Sequence, residues 1–129
     1  MILDTDFLIA IIRKDQAAVN FIENNVTGDT ELYITHVNLW ELYQGAFKGE
    51  KINQNLQEVN ELISCFTVLE FTLESAIRFG KLINDLRKNG KQIGVMDTLI
   101  ASVALEHNFK IITRNIKHFE LTGVVIEPW

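Results

Sequence analysis

The sequence of 129 residues has one cysteine, one proline and no long uninterrupted apolar run. The lone thiol, Cys65, cannot form an internal disulfide, and its apolar neighbours predict a small buried side chain. No apolar stretch approaches the roughly 18 to 20 residues that a membrane-spanning helix needs. No basic, apolar leader opens the chain, because Asp4 and Asp6 interrupt its first apolar segment. We therefore expect a cytoplasmic protein that does not contact a membrane.

Basic residues are outnumbered, since 12 Lys and Arg against 17 Asp and Glu give a net charge of −5. Proteins that hold nucleic acid tightly usually present a basic face. The balance therefore argues against a stable nucleic-acid binder, although carboxylates that hold a multivalent cation can still receive an anionic substrate. No repeat, low-complexity tract or Gly/Pro/Ser-rich linker divides the chain, and the only proline is Pro128. This length predicts a single domain over residues 1–129.

Short apolar runs alternate with helical patterns along the chain. The runs are nearly continuous, which predicts strands buried on both faces, at residues 1–3, 32–35, 66–71, 110–113 and 124–127. Apolar residues at helical spacing predict helices from about residue 7 and at residues 15–25, 36–47, 53–64, 73–88 and 96–107. Strands that alternate with helices require crossover connections. The predicted fold class is α/β, a three-layer α/β/α sandwich around a central, mostly parallel sheet.

Acidic residues accompany several of these elements. Asp4 follows the first predicted strand, Glu41 lies in the helix after the second, and Asp97 stands at the start of the helix before the fourth. The fourth strand itself ends in the polar sequence Thr113-Arg114-Asn115. Ligand groups in parallel sheets gather beyond the carboxyl ends of the strands, so these side chains can converge on one cleft.

Each acid also has an ordinary structural interpretation. Asp4, Asp6 or Asp97 can cap a helix, and Glu41 can be a solvated helix residue. The joint pattern favours a shared site, because crowded carboxylates repel one another unless a cation or protons intervene. Oxygen ligands without clustered His or Cys favour Mg²⁺ or Mn²⁺ over zinc.

Three segments carry a family resemblance: "ILDTD", "THVNLWELYQGAF" and "GVMDTLIASVALEHNFKIITRNIKHFELTGVVIEPW". Together they resemble the PIN-domain ribonucleases, specifically the VapC-type toxins of prokaryotic toxin–antitoxin pairs. The resemblance implies a divalent-metal-dependent endoribonuclease in which Asp4, Glu41 and Asp97 match the three principal acids. The fourth acidic position falls on Asn115, where many members carry aspartate, and this departure removes one negative charge from the site.

The resemblance also suggests a role for each residue. Asp4, Glu41 and Asp97 are expected to form the Mg²⁺ site, in which Asp4 and Asp97 bind the ion directly or through its waters and Glu41 orients or deprotonates the attacking water. Asn115 is expected to hydrogen-bond a metal-held water or a phosphate oxygen. His118 is either a proton donor to the leaving oxygen or a polar turn residue beside a buried Phe119, and we favour the second interpretation.

The implied partners are an RNA substrate, such as a transfer RNA, a cognate VapB-like antitoxin and a second copy of the chain. The helix over residues 36–47 carries Leu39, Tyr43 and Phe47 at helical spacing with Trp40 on its flank, and this stripe predicts either core or a partner surface. Two other functions stay open. One is a PIN-fold binding module with weakened catalysis, and the other is a haloacid-dehalogenase-like phosphatase, which "ILDTDFL" superficially resembles.

Overall fold

A five-stranded parallel sheet forms the centre of the protein in the computed structural model, which describes residues 1–91 and 93–129. The strands are β1 (Ile2–Leu3), β2 (Tyr33–Thr35), β3 (Thr67–Leu69), β4 (Ile111–Ile112) and β5 (Ile126–Glu127). Their order across the sheet is β3-β2-β1-β4-β5, and each neighbouring pair is parallel. All five predicted strands are confirmed, with shorter bounds than the apolar runs suggested.

Helices cover both faces of this sheet. In the described part of the chain they are α1 (Thr5–Ile12), α2 (Gln16–Asn25), α3 (His36–Lys48), α4 (Ile52–Ile63), α5 (Leu73–Lys88), α6 (Val95–His107) and α7 (Ile116–Phe119). The predicted helices are confirmed, although α1 begins at Thr5 instead of Phe7 because Asp4 caps it. The sequence analysis missed α7, because four residues are too few to show a helical period.

Alternate residues of the central strands belong to two separate hydrophobic cores. Leu3 and Ile112 pack against α1, α2, α3 and α4 on one face, whereas Ile2 and Ile111 pack against α6 on the other. Successive side chains of a strand point to opposite faces, and apolar residues at consecutive positions therefore fill both layers. This arrangement confirms the three-layer α/β/α sandwich.

The sheet register places the ends of β1 and β4 side by side. Leu3 pairs with Ile112, so the next residues, Asp4 and Thr113, leave the sheet at the same edge. At that edge β2 leads into α3, whose first residue, His36, directly follows Thr35. The carboxyl ends of three neighbouring strands thus supply residues to one region, as the crossover connections predicted.

One detail of the predicted burial is wrong. Cys65 is exposed, because it lies in the turn after α4, where its thiol donates to the Glu61 carbonyl. Phe47 and Trp40 are 61% and 56% exposed, so the helical stripe on α3 does not belong entirely to the core. Among the described residues, no helix combines the length and the apolar character needed to cross a membrane.

Candidate active site

Asp4 is a buried carboxylate at the junction of β1 and α1. One oxygen, Oδ1, accepts the Thr5 backbone N–H at 2.8 Å and so caps α1. The other, Oδ2, accepts the Thr113 hydroxyl at 2.7 Å across the adjacent strand end. The capping interpretation of Asp4 is therefore correct, but the side chain also joins two segments that lie more than a hundred residues apart.

The charge of Asp4 is poorly compensated by the protein. Burial raises the pKa of the Asp4 carboxyl from its ordinary value of 3.8 to about 7, and the negative charges of Asp6 and Asp97 add to this increase. The hydrogen bonds from Thr113 and from the Thr5 backbone oppose it. A group of this kind is half-protonated near neutral pH and gains stability when a cation approaches.

Asp6 is the second carboxylate at this edge. Its Oδ2 atom accepts the Arg114 backbone N–H at 2.9 Å, which fastens the turn after β4 to α1. Its Oδ1 atom is shielded from solvent and has no hydrogen-bond partner among residues 1–91 and 93–129. Asp6 therefore does not cap α1, a position that Asp4 occupies, and adds an uncompensated oxygen beside Asp4.

Glu41 reaches the same edge from the second turn of α3. It is half-buried, and its Oε2 atom accepts the Thr5 hydroxyl at 2.5 Å. The interpretation of Glu41 as a simply solvated helix residue is wrong, because the side chain bonds to the residue next to Asp4.

Asp97 approaches from the first turn of α6. It is not the N-cap of that helix, a position that Gly94 occupies without a side-chain bond. Its Oδ2 atom instead lies 3.2 Å from Asn115 Nδ2 and 2.7 Å from His118 Nδ1. Since His118 Nδ1 is also 2.8 Å from Asn115 Nδ2, the ring nitrogen either donates to the carboxylate or accepts from the amide.

A continuous series of hydrogen bonds joins the four predicted residues. Glu41 bonds to Thr5, which bonds through its backbone to Asp4, and Asp4 bonds to Thr113. The Thr113 hydroxyl accepts the Asn115 backbone N–H at 2.9 Å, and the Asn115 amide reaches Asp97. Within the described residues, no three His, Cys, Asp or Glu side chains stand close enough together to form a ready-made ion site. Neutral hydroxyl and amide groups thus separate the predicted acids.

This donor set fits a hard cation that keeps several of its own waters. The groups that face the edge are carboxylate oxygens, and the raised pKa of Asp4 and the unpartnered oxygen of Asp6 both mark uncompensated negative character. Mg²⁺ is usually held by one or two carboxylates plus waters, so three touching acids are not required. The assignment of Asp4, Glu41 and Asp97 as metal ligands stays a prediction.

Two neighbours of the site make contacts that the sequence analysis did not predict. His118 contacts Asp97 directly and also lies beside the buried Phe119, as the favoured interpretation expected. Arg114 stacks 3.4 Å from the centre of the Trp129 ring and lies 3.6 Å from Asp15. The side chain of Arg114 is thus engaged within the protein. Neither contact has a signal in the spacing of residues, because both join segments that are distant in sequence.

A small groove opens beside Glu41 between α1, α3 and α4. Its volume is about 210 Å³, and its lining is largely apolar with Arg13, Glu41 and Glu58 among its members. Trp40 and Phe47, both well exposed, lie on α3, one of the helices that form the groove. The edge of the sheet near Glu41 thus borders a surface that is partly apolar and partly charged.

Replacing Asp4 with asparagine is expected to stabilise the metal-free protein at neutral and alkaline pH. A carboxyl whose pKa is raised to about 7 on folding contributes stability that is present below pH 3.8 and lost as pH rises through about 7. The asparagine variant avoids this loss, so its free energy of unfolding should exceed that of the parent by roughly 4 kcal/mol at pH 8. Below pH 4 the two proteins should converge.

Urea denaturation of both proteins in EDTA between pH 4 and pH 8 measures this difference. Replacing Asp29, an exposed loop residue, with asparagine provides the control, because it removes one charge without removing a buried one. Equal free energies of unfolding for the Asp4 variant and the parent at pH 8 would contradict the raised pKa of Asp4. A difference between them that does not change with pH would contradict it as well.

The fold and this edge of polar groups are those of a PIN domain, and a family model described as the PIN domain matches residues 1–124. A ribonuclease VapC2 of Rickettsia felis is 30% identical over 129 residues, with 98% of this chain and 96% of the relative covered. A tRNA(fMet)-specific endonuclease VapC of Shigella flexneri is 30% identical over 128 residues, with the same coverage. The chain therefore belongs to the PIN-domain family, within its VapC group.

Solved structures support the same assignment. The complex VapBC2 of Rickettsia felis, bound to a promoter DNA fragment, contains a chain with a TM-score of 0.91 and 27% identity, matched over 99% of this chain and 97% of that one. A DNA-bound VapBC of Salmonella typhimurium gives a TM-score of 0.86 and 30% identity over 99% of this chain and 96% of that one. Membership in this family argues against a haloacid-dehalogenase-like phosphatase, which "ILDTDFL" superficially resembles.

Proposed function

We propose that this protein is a Mg²⁺-dependent endoribonuclease that acts in the cytoplasm as the toxin of a toxin–antitoxin pair. The observation that carries the proposal is the hydrogen-bonded series from Glu41 through Asp4 to Asp97 at the carboxyl edge of the sheet. Relatives whose names include ribonuclease and tRNA-specific endonuclease support RNA as the substrate class.

Asp4 and Asp97 are the residues that would hold the cation, directly or through its waters. When bound, Mg²⁺ polarises the phosphoryl oxygens and lowers the pKa of water at the site. Glu41, which accepts the hydroxyl of Thr5 next to Asp4, would take a proton from the attacking water. The Asn115 amide donates to Asp97, so it orients that carboxylate and cannot serve as a base.

The activity test incubates purified protein with total transfer RNA in the presence of either MgCl₂ or excess EDTA. We expect cleavage fragments only with the divalent cation, because several carboxylates at the site need it to receive a polyanion. Restoring Mg²⁺ after EDTA should restore cleavage. Mg²⁺-dependent RNA binding without fragments would favour the alternative of a PIN-fold module with weakened catalysis.

A VapB-like antitoxin is the partner that this surface suggests. The groove beside Glu41 combines apolar walls with Glu41 and Glu58, which suits a segment that carries apolar side chains and a basic group. The similar chains in the Rickettsia felis and Salmonella typhimurium structures belong to VapBC complexes, and this supports the same kind of partner here. Exposed apolar residues such as Leu73 and Ile77 on α5, which are 79% and 60% exposed, support a homodimer.

A further inference from the structure

A buried amide lies behind Glu41. Asn38, in the first turn of α3, is 0% exposed and is bonded on both sides of its amide group. Its Oδ1 atom accepts the Thr35 backbone N–H and the Thr35 hydroxyl, each at 2.7 Å. Its Nδ2 atom donates to the Thr5 hydroxyl at 2.9 Å. Asn38 thus links the end of β2 to the residue that holds Glu41.

The direction of each bond follows from the donors. A backbone N–H can only donate, so the Asn38 atom that faces Thr35 must be the oxygen and the atom that faces Thr5 must be the nitrogen. The Thr5 oxygen therefore accepts from Asn38, and its single proton is left for Glu41, the next polar group along the series. An ionised carboxylate can only accept, so every bond in this series has one possible direction.

Helix capping alone does not explain this arrangement. The Asn38 oxygen completes a capping box with Thr35, and that motif does not use the Nδ2 group. The Nδ2 bond crosses to α1, a segment 33 residues away in sequence. Asn38 and Glu41 are three positions apart on α3 and therefore share a face of the helix. The amide thus holds Thr5 from the same side on which Glu41 receives the Thr5 proton.

We propose that Asn38 is a positioning residue for the RNA cleavage reaction and acts on Glu41 through Thr5. The hydrogen-bonded relay Thr35–Asn38–Thr5 directs the Thr5 hydroxyl proton to Glu41 Oε2. This bond fixes the rotation of the Glu41 carboxylate. The second oxygen, Oε1, is the atom that takes the proton from water. This inference rests on the proposed function for the identity of the reaction, whereas the relay itself is a property of the folded chain.

A double-mutant cycle between Asn38 and Thr5 tests the relay. Asn38→Ala and Thr5→Val should each lower kcat by roughly 10- to 100-fold, the cost of a misplaced catalytic group, with KM for the RNA unchanged. Because both substitutions break the same series, the double variant should be no slower than the slower single variant. Thr5→Val leaves the capping box of α3 intact and keeps the test valid if Asn38→Ala folds poorly. Additive effects, or a wild-type kcat in Thr5→Val, would overturn the proposal.

Ser75→Ala is the matched control, since Ser75 is another buried side chain, bonded to Glu106 in the last turn of α6, at the opposite end of that helix from Asp97. Its loss should lower the thermal stability and leave kcat unchanged. A loss of kcat in this control that equals the loss in Thr5→Val would show that destabilisation alone explains the effect, which would overturn the positioning role.

An NMR measurement that needs no activity separates the relay from the proposed function. The Asn38 side-chain amide resonance, identified by its disappearance in Asn38→Asp, should shift in Glu41→Ala, which removes the acceptor of the Thr5 proton, as well as in Thr5→Val. The exposed neighbour variant Gln44→Ala should leave it in place. An unmoved resonance in Glu41→Ala would overturn the relay even in an active enzyme. An inactive wild-type protein would instead overturn the proposed function and leave the relay to be judged by these shifts.

Discussion

Replacing Asp97 with asparagine is expected to lower the rate of Mg²⁺-dependent RNA cleavage by roughly 10³-fold, which corresponds to the several kcal/mol that a bound cation supplies. The substitution keeps the shape of a side chain that is only 19% exposed and removes its charge. The site then retains Asp4 as its remaining principal metal carboxylate. Initial rates on transfer RNA at saturating MgCl₂ measure the effect, and a separate titration should show that half-maximal activity requires a higher Mg²⁺ concentration than in the parent.

Asp29→Asn is the control for this experiment because Asp29 is exposed and lies before β2, at the amino edge of the sheet. Its variant should cleave at the parental rate. Unfolding curves should show that the Asp97 variant is folded. Full activity of a folded Asp97 variant would rule out Asp97 as a group that holds the cation.

Replacing Glu41 with glutamine should abolish turnover while RNA binding persists. The amide can still accept the Thr5 hydroxyl through its oxygen, but it cannot take up a proton. Loss of a general base usually costs about 10²- to 10⁴-fold in rate. Single-turnover cleavage and filter binding of the same RNA measure the two properties separately.

Glu61→Gln serves as the comparison for Glu41→Gln, because Glu61 is an exposed glutamate on α4 whose carboxylate accepts from Gln57, one helical turn earlier. The comparison variant should bind and cleave like the parent. A Glu41 variant with the parental single-turnover rate would exclude Glu41 as the proton acceptor.

The fold was largely predictable because its signals are local. Near-continuous apolar runs identified β1 and β4, whose consecutive residues fill the cores on both faces of the sheet. Asn108, at a left-handed φ of 55°, ends α6 at the predicted position. The error at Cys65 arose because apolar character in the sequence does not say which apolar residues the core has room for, and the same limit left the α3 stripe with Phe47 open between core and partner surface.

The site was predictable only in part. The ends of parallel strands meet at one edge, and this rule brought Asp4 and Asn115 together correctly. The rule does not give the partners of each side chain, so the contact between His118 and Asp97 was missed. Asn38 did leave a local signal, because it follows the N-cap Thr35 by three residues and precedes Glu41 by three. Its bond to Thr5 depends on tertiary packing and could not be inferred from that spacing.

Anomalous diffraction from crystals of the full chain soaked in MnCl₂ tests the central claim most directly, because it locates the cation independently of any activity. The account predicts an anomalous peak at the carboxyl edge of the sheet, with Asp4 and Asp97 oxygens about 2 Å away or bridged to it by a single water. A well-occupied peak elsewhere, with these carboxylates still bonded to Thr5, Thr113, Asn115 and His118 and to no cation, would contradict it.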